Sequence, residues 1–196
     1  MSRIFPSLAV VSLGLFLVAV VVGFGLGDLY EIPPQEETFR WKGIHMLTGA
    51  SAALAVVLVH SIGVTYFIGT SRWCKEVTET YKLDPAMLQT STRLKRKTFP
   101  WSLMGMLTVV AVAALGAASD PGTGRPDTAW WASIHLGAAF LGLAFIGWTY
   151  YQAWLNIVSN QTVIQQIVDA VAEIRRDRGL DTQDTFEESI APVSVE

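Results

Sequence analysis

The sequence predicts an all-α integral membrane protein: an up-down bundle of four transmembrane helices, built from two pseudo-repeated helical hairpins and carrying cytoplasmic helical extensions. The first observation is composition, because 51% of the 196 residues are hydrophobic and only 16% are charged, whereas soluble domains average about 25% charged residues. The second is that four nearly uncharged stretches are each about 20 residues or longer, the length that crosses about 30 Å of hydrocarbon. The third is the phrase Trp-x-x-Ile-His, which occurs at Trp41–His45 and again at Trp131–His135.

The four predicted spans cover about residues 7–27, 43–69, 100–119 and 129–156. The first span follows Arg3, as the core of a secretory signal would. Its apolar stretch is longer than the roughly 7 to 15 residues of a signal core, however, and no Ala-x-Ala cleavage site follows it. We therefore expect a retained membrane anchor and a transmembrane domain that covers residues 1–158.

The basic residues predict the orientation of the spans. Eleven of the fourteen Lys and Arg residues lie before the first span, between the second and third spans, or after the fourth span. Because short cytoplasmic segments are enriched in Lys and Arg, we expect both termini to be cytoplasmic, in a bacterial inner membrane. The two short connections then face outward, and Trp41, Trp130 and Trp131 lie at the outer boundary, where indole rings favour the headgroup layer.

Helical segments are predicted in the cytoplasm. In the connection 70–99, the second helix continues to about Tyr81, and Asp84-Pro85 begins a short basic helix that leads to Pro100. After the fourth span, residues 159–179 form an amphipathic helix, since apolar residues recur there at three- and four-residue steps. Its apolar face needs a partner, which is the rest of this chain, a second copy in a homo-oligomer, or another subunit of a larger membrane complex. Residues 180–196 read as a disordered acidic tail.

The repeated phrase predicts a shared cofactor site. Spans two and four run in the same direction, so His45 and His135 lie at equal depth near the outer face. In an ideal bundle these spans are diagonal, with axes about 14 Å apart, and two imidazoles would not touch comfortably but could both coordinate one iron. We therefore predict haem b with paired axial histidines, which suits electron transfer because no coordination position is open. The porphyrin edges are expected to pass over the small residues on the same helix faces, which are Gly49, Ala52, Ala139 and Gly142.

His60 is the third histidine, and it lies about 22 Å deeper than the repeated pair. The corresponding position in the second half is Tyr150. A second haem would pair His60 with Met104 or Met106 near the inner end of span three. The alternative, which we favour, is a neutral histidine hydrogen-bonded to Tyr150, Thr65 or a backbone carbonyl, since methionine in a bundle is most often a filler. With both haems, the chain would resemble the general plan of the four-helix dihaem membrane cytochromes.

These features predict a membrane-embedded b-type haem protein for electron transfer, with a membrane quinone or another redox protein as its partner. The alternative is a non-catalytic structural or docking subunit of a larger membrane complex, with no cofactor. The sequence contains no phosphate-binding loop, no zinc-protease motif and no nucleophile elbow, and nucleic acid is not an expected partner. The spans contain no Asp, Glu, Lys or Arg, which argues against an ion-coupled pump. A stand-alone enzyme is therefore less expected than an electron-transfer protein or subunit.

Overall fold

The computed structural model describes residues 1–29, 35–123 and 128–180, which form four α-helices and one short 3₁₀ turn. The helices are α1 (Ile4–Phe24), α2 (Glu36–Tyr81), α3 (Pro85–Ala118) and α4 (Trp130–Asp177), and the 3₁₀ turn is Pro121–Thr123. The described residues contain no strand, and all four helices are long and apolar enough to cross a membrane. The prediction of an all-helical protein with four potential spans is therefore confirmed. Parts of both predicted outward connections (30–34 and 124–127) and residues 181–196 of the predicted acidic tail lie outside the described residues.

The connection between the second and third spans differs from the prediction in one respect. Helix α2 does continue to Tyr81, and the Asp84 side chain caps α3 by accepting a hydrogen bond of 2.9 Å from the backbone N–H of Ala86. However, the basic segment is not a separate short helix, because α3 runs without a break through Pro100. Proline removes one backbone hydrogen bond from a helix interior, and packing of α3 against α2 and α4 along its length compensates for that loss.

The segment after the fourth span is likewise not a separate helix. Helix α4 continues from Trp130 to Asp177 in 48 residues, so the predicted amphipathic helix 159–179 is the second half of a single long helix. The helix ends two residues before Gly179, which has a φ of +67°. Glycine adopts this left-handed conformation at little steric cost, and it is a common helix terminator.

The helices pack around a continuous apolar core. Helix α3 packs along both α2 and α4, α1 packs mainly along α2, and α1 and α2 also contact α4. The centre of this core includes Phe5, Phe16, Val56, Ile146 and Ile157, all at most 4% exposed.

Large apolar side chains also cover the outside of the bundle. Leu47, Leu54 and Leu141 are 70%, 73% and 74% exposed. Exposing such an apolar surface to water is unfavourable, whereas exposing it to lipid tails is not, because lipid tails are as apolar as leucine. The exposed leucines therefore agree with a membrane environment for the spans.

The bundle has two chemically different ends. The histidine end contains His45, His135, Lys42 and Asp120, and the basic end contains residues 70–99 and 156–177. At the basic end, Cys74, Val163 and Ile167 form a second apolar cluster, in which all three side chains are at most 6% exposed. The rest of this chain therefore covers part of the apolar face predicted after the fourth span. Val168 on the same segment remains 42% exposed.

Buried amides connect the helices toward the basic end. The side-chain amide of Asn156 donates to Thr98 on α3 at 2.9 Å. Asn160 is fully buried, accepts a hydrogen bond of 2.8 Å from Ser91 on α3, and donates to Tyr66 and Thr70 on α2 at 3.3 and 3.1 Å. A polar side chain that is satisfied by two neighbouring helices fixes their register, because sliding either helix would leave buried polar groups unpaired.

Candidate site at the paired histidines

His45 lies near the start of α2 and is oriented by α1. Its ring nitrogen Nδ1 is 3.0 Å from the backbone carbonyl oxygen of Ala19. One turn further along α1, Gly23 lies against the same ring, and a Cβ atom added at Gly23 would be 3.0 Å from Cε1 of His45. The imidazole therefore packs directly on the backbone of α1.

His135 lies near the start of α4, and α3 orients it in the same way. Its Nδ1 is 3.1 Å from the backbone carbonyl oxygen of Val112. Gly116, one turn further along α3, lies against the ring, and a Cβ atom there would also be 3.0 Å from Cε1. Each histidine thus has the same two partners on the preceding helix: a carbonyl, and a glycine four residues later.

The two imidazoles meet between α2 and α4. Their ring centroids are 6.1 Å apart and their planes are nearly perpendicular, at 80°. The expected distance of about 14 Å joins the helix axes, so a distance of 6.1 Å between ring centroids that lie between those axes does not contradict it. Helices α2 and α4 contact each other, and the glycines on α1 and α3 give both rings room on the inside of the bundle.

The hydrogen bonds determine which ring nitrogen carries the proton. A backbone carbonyl only accepts hydrogen bonds, so Nδ1 of His45 and Nδ1 of His135 must both be donors. In the neutral form of each imidazole, Nε2 is then an unprotonated nitrogen with a lone pair. Metal-binding histidines almost always have this arrangement, since a carbonyl or carboxylate that accepts from one ring nitrogen orients the other toward the metal.

The separation of the rings fits two ligands of one metal. An imidazole nitrogen binds a transition metal at about 2.0–2.1 Å, and the ring centre lies about 1.1 Å behind it, so imidazoles on opposite sides of one metal have centres about 6.2–6.4 Å apart. The observed distance is 6.1 Å. No group of three or more His, Cys, Asp or Glu that could hold a metal occurs among the described residues. Haem supplies four nitrogen ligands itself, so two histidines could complete its coordination.

The small residues predicted beside the histidines lie in different environments. Ala52 and Ala139 are buried, at 2% and 6% exposure. A Cβ atom at Gly142 would come 3.1 Å from Val112, whereas one at Gly49 would have nothing within 4 Å. Gly142 and the two alanines are thus part of the packed core, and Gly49 faces open space.

Gly23 and Gly116 were not predicted as site residues, although they make the closest approach to the rings. A signal for them exists in the sequence, since spans one and three both end in glycine-containing segments just before the outward connections. Because these glycines lie on neighbouring helices, spacing from the histidine along its own helix could not identify them.

An ion pair lies beside the histidine pair. Nζ of Lys42, on α2 one turn before His45, donates to Oδ1 of Asp120 at 2.6 Å, and both side chains are mostly buried. Burial alone would raise the pKa of Asp120. The hydrogen bonds from Lys42 and from the backbone N–H of Gly122, together with the charge of Lys42, outweigh burial and lower that pKa. The pair joins the start of α2 to the connection after α3.

His60 is 1% exposed, and its ring lies on Tyr150 with centroids 4.6 Å apart. Its Nε2 is 3.4 Å from the hydroxyl oxygen of Thr149, which is its partner in place of the expected Tyr150, Thr65 or carbonyl oxygen. Gly105, between Met104 and Met106, packs on the His60 ring, while Met104 is 47% exposed and Met106 is half-buried.

The chain has no match among known protein family models, curated proteins or solved structures. Its chemistry is therefore inferred from the geometry of its own residues. The paired histidines are the part of the described chain where that geometry is most specific, because two imidazoles, two carbonyls and two glycines occupy matching positions.

Proposed function

We propose that this protein is a membrane-embedded b-type haem protein that transfers electrons, with His45 and His135 as the paired axial ligands. The observation that carries the proposal is the arrangement of the two rings. Both donate Nδ1–H to a backbone carbonyl, and their centroids are 6.1 Å apart. Two nitrogen atoms that both carry lone pairs cannot hydrogen-bond to each other, but both can donate a lone pair to a metal ion between them.

Haem b bound there would supply reversible one-electron redox chemistry, and two axial histidines favour electron transfer because no position is open for a substrate. The chain's own contribution is to orient both imidazoles through the carbonyls of Ala19 and Val112, and to clear space with glycine. A redox partner at the histidine end and a quinone in the membrane are the partners that this chemistry calls for.

We further propose that the chain is an up-down bundle of two pseudo-repeated hairpins. Contacts along α1 support this arrangement, because Gly23 near its end lies beside His45, whereas a Cβ at Gly63, farther along α2, would lie 3.3 Å from Phe5 near the start of α1. The matching partners of His45 and His135 support the repeat. The basic residues at the basic end support an orientation with cytoplasmic termini in a bacterial inner membrane.

An absorption spectrum of the purified protein tests the haem proposal. After expression with supplemented haem, we expect sharp α and β bands on reduction and about one haem per chain, as two histidines for one iron imply. His45→Ala and His135→Ala should each lose the bands. His60→Ala is the matched control, since it removes the same ring away from the pair, and it should keep them. A colourless wild-type protein would refute the proposal and favour the cofactor-free docking subunit.

Fusion reporters test the orientation separately. A reporter fused after Glu196, or inserted within residues 82–97, should be cytoplasmic, and one inserted near Gly122 should be external. The reverse pattern would place the histidine pair on the cytoplasmic side of the membrane, without affecting the argument for metal binding.

A further inference from the structure

The spacing of the paired histidines is repeated deeper in the bundle. Fifteen residues separate His45 from His60 on α2, and fifteen residues also separate His135 from Tyr150 on α4. Fifteen residues make about four helical turns, so on each helix the deeper side chain has a direction similar to that of the shallower one. The deeper pair also meets, since the ring centroids of His60 and Tyr150 are 4.6 Å apart.

The residues that face the rings are repeated with a spacing of their own. Eleven residues before Gly116 on α3 is Gly105, and eleven residues before Gly23 on α1 is Ser12. Eleven residues make about three turns, which returns the chain to the same helix face. The three atoms nearest to a Cβ added at Gly105 all belong to the His60 ring.

Each helix therefore contributes one residue to each of two layers. The histidine layer is His45, His135, Gly23 and Gly116, and the deep layer is His60, Tyr150, Gly105 and Ser12. The deep layer keeps the histidine on α2 and the glycine on α3, but with a different pairing: Gly105 packs on His60 of α2, whereas Gly116 packs on His135 of α4. On α4 tyrosine replaces the histidine, and on α1 serine replaces the glycine.

The two replacements interact with each other. The hydroxyl groups of Tyr150 and Ser12 are hydrogen-bonded at 3.0 Å, and the Tyr150 hydroxyl is 3.4 Å from the carbonyl oxygen of Val56, to which it donates. Tyr150 is 3% exposed and Ser12 is 1% exposed. This hydrogen bond joins α1 to α4 within the deep layer.

His60 is left with an unused ring nitrogen. The Thr149 hydroxyl donates to the carbonyl of Ile146 at 2.8 Å, so at 3.4 Å it accepts from Nε2–H of His60. Nδ1 of His60 is then a lone-pair acceptor, and among the described residues it has no hydrogen-bond partner. A buried acceptor without a partner is uncommon in native proteins, and a histidine with no second bond is poorly explained as a purely structural core residue.

We infer that the deep layer is a second haem site, built from corresponding positions on the same four helices, and that the Tyr150–Ser12 pair holds it closed. This inference rests on the proposed function, because it takes the histidine layer as a haem site. The native chain accordingly binds one haem, and restoring the missing histidine and glycine opens the second site, with His60 as one axial ligand and the introduced histidine as the other.

The double variant Tyr150→His/Ser12→Gly tests this inference in the full chain with haem b. We expect the haem-to-protein ratio to rise from about one to about two, as a second pair of histidine ligands implies. The matched control is Tyr150→Phe/Ser12→Ala, which removes the same hydrogen bond without adding a ligand, and its ratio should stay at one. Helical content and size-exclusion profiles of the same samples show whether each variant is folded.

A variant that lacks the upper site identifies where the second haem binds. Adding His135→Ala to the double variant should leave one haem per chain, and adding His60→Ala as well should remove it. A folded double variant that still binds one haem overturns the inference alone. If the double variant does not fold, Tyr150→His alone carries the test under the same criterion.

The number of haems bound by the wild-type chain distinguishes the closed deep layer from the proposed haem function. One haem per wild-type chain agrees with both. Two haems per wild-type chain would show that the deep layer is not closed, and would overturn the inference while leaving the proposed function intact. No haem in the wild-type protein would overturn the proposed function, and the inference with it.

Discussion

Gly116 offers a sharp test of the histidine layer, because the smallest possible side chain there should disturb it. A Cβ atom at this position would lie 3.0 Å from Cε1 of His135. Ordinary carbon contacts are about 3.5 to 4.0 Å, so Gly116→Ala requires a movement of roughly half an ångström. The ring cannot move freely, since its Nδ1 is held at 3.1 Å from the carbonyl oxygen of Val112, which lies on α3 one turn before Gly116.

The magnitude of the effect follows from this overlap. Overpacking a tight site costs about 1 to 3 kcal/mol. If that energy is lost from haem binding, the dissociation constant rises about 5-fold to 150-fold, at about 1.4 kcal/mol per decade. Replacing glycine by alanine within a helix has the opposite effect on folding, which it favours by about 0.5 to 1 kcal/mol. Haem affinity should therefore fall while helical stability stays the same or rises.

Haem titration of the apoprotein, followed by absorbance, measures the dissociation constant, and thermal unfolding followed by circular dichroism measures helical stability. The matched control is Gly137→Ala, two residues after His135, where an added Cβ meets nothing within 4 Å. Gly23→Ala should reproduce the loss of affinity on the other side of the site. Wild-type haem affinity in folded Gly116→Ala protein would refute the packing of His135 on α3 as the basis of the site.

Three further predictions concern stability and reactivity. Lys42→Met should lower the free energy of unfolding by about 1 kcal/mol at neutral pH. It should also make that free energy less dependent on pH. The pKa of Asp120 is lowered in the folded state, so the carboxylate stabilises the fold above its unfolded-state pKa, and this stability is lost as pH falls through its folded-state pKa. Denaturant melts at pH 7 and pH 3 measure this, and an unchanged pH dependence contradicts it. Cys74 is fully buried, and burial raises the pKa of its thiol, so a thiol reagent should label it only after unfolding, and rapid labelling of the native protein would disprove its burial. Asn160→Leu should lower the free energy of unfolding by about 1 to 3 kcal/mol, because it leaves the buried Ser91 hydroxyl without its acceptor. Gln165→Leu on the exposed face is its control and should have little effect.

The four helices were predictable from sequence, as were the end of α2 at Tyr81 and the Asp84 cap of α3, but the unbroken courses of α3 and α4 were not. Long uncharged stretches locate the spans, since an apolar α-helix of about 20 residues crosses the hydrocarbon with its own backbone hydrogen bonds satisfied. Hydropathy ends where the lipid ends, however, while α2 and α4 continue well beyond that point. Pro100 was read as the end of a basic helix, yet α3 continues through it, because contacts with neighbouring helices outweigh the local preference of proline.

The candidate site was predictable only in part. The repeated phrase identified His45 and His135, because it is a pattern along the chain. Gly23 and Gly116 belong to the site through packing between helices, which single-sequence spacing does not contain. The distance of 6.1 Å between the ring centroids depends on how the side chains are oriented by neighbouring helices, which the sequence pattern does not contain.

The length of α4 bears on where the protein can be cut. At about 1.5 Å per residue, its 48 residues extend about 72 Å, more than twice the roughly 30 Å of hydrocarbon. A truncation after residue 158, where the apolar span ends, would remove Asn160, Val163 and Ile167, and would leave their buried neighbours on α2 and α3 facing water. The smallest fragment that retains these contacts extends through Ile167, and Asp177, where the helix ends, is the conservative boundary for expression and for fusions.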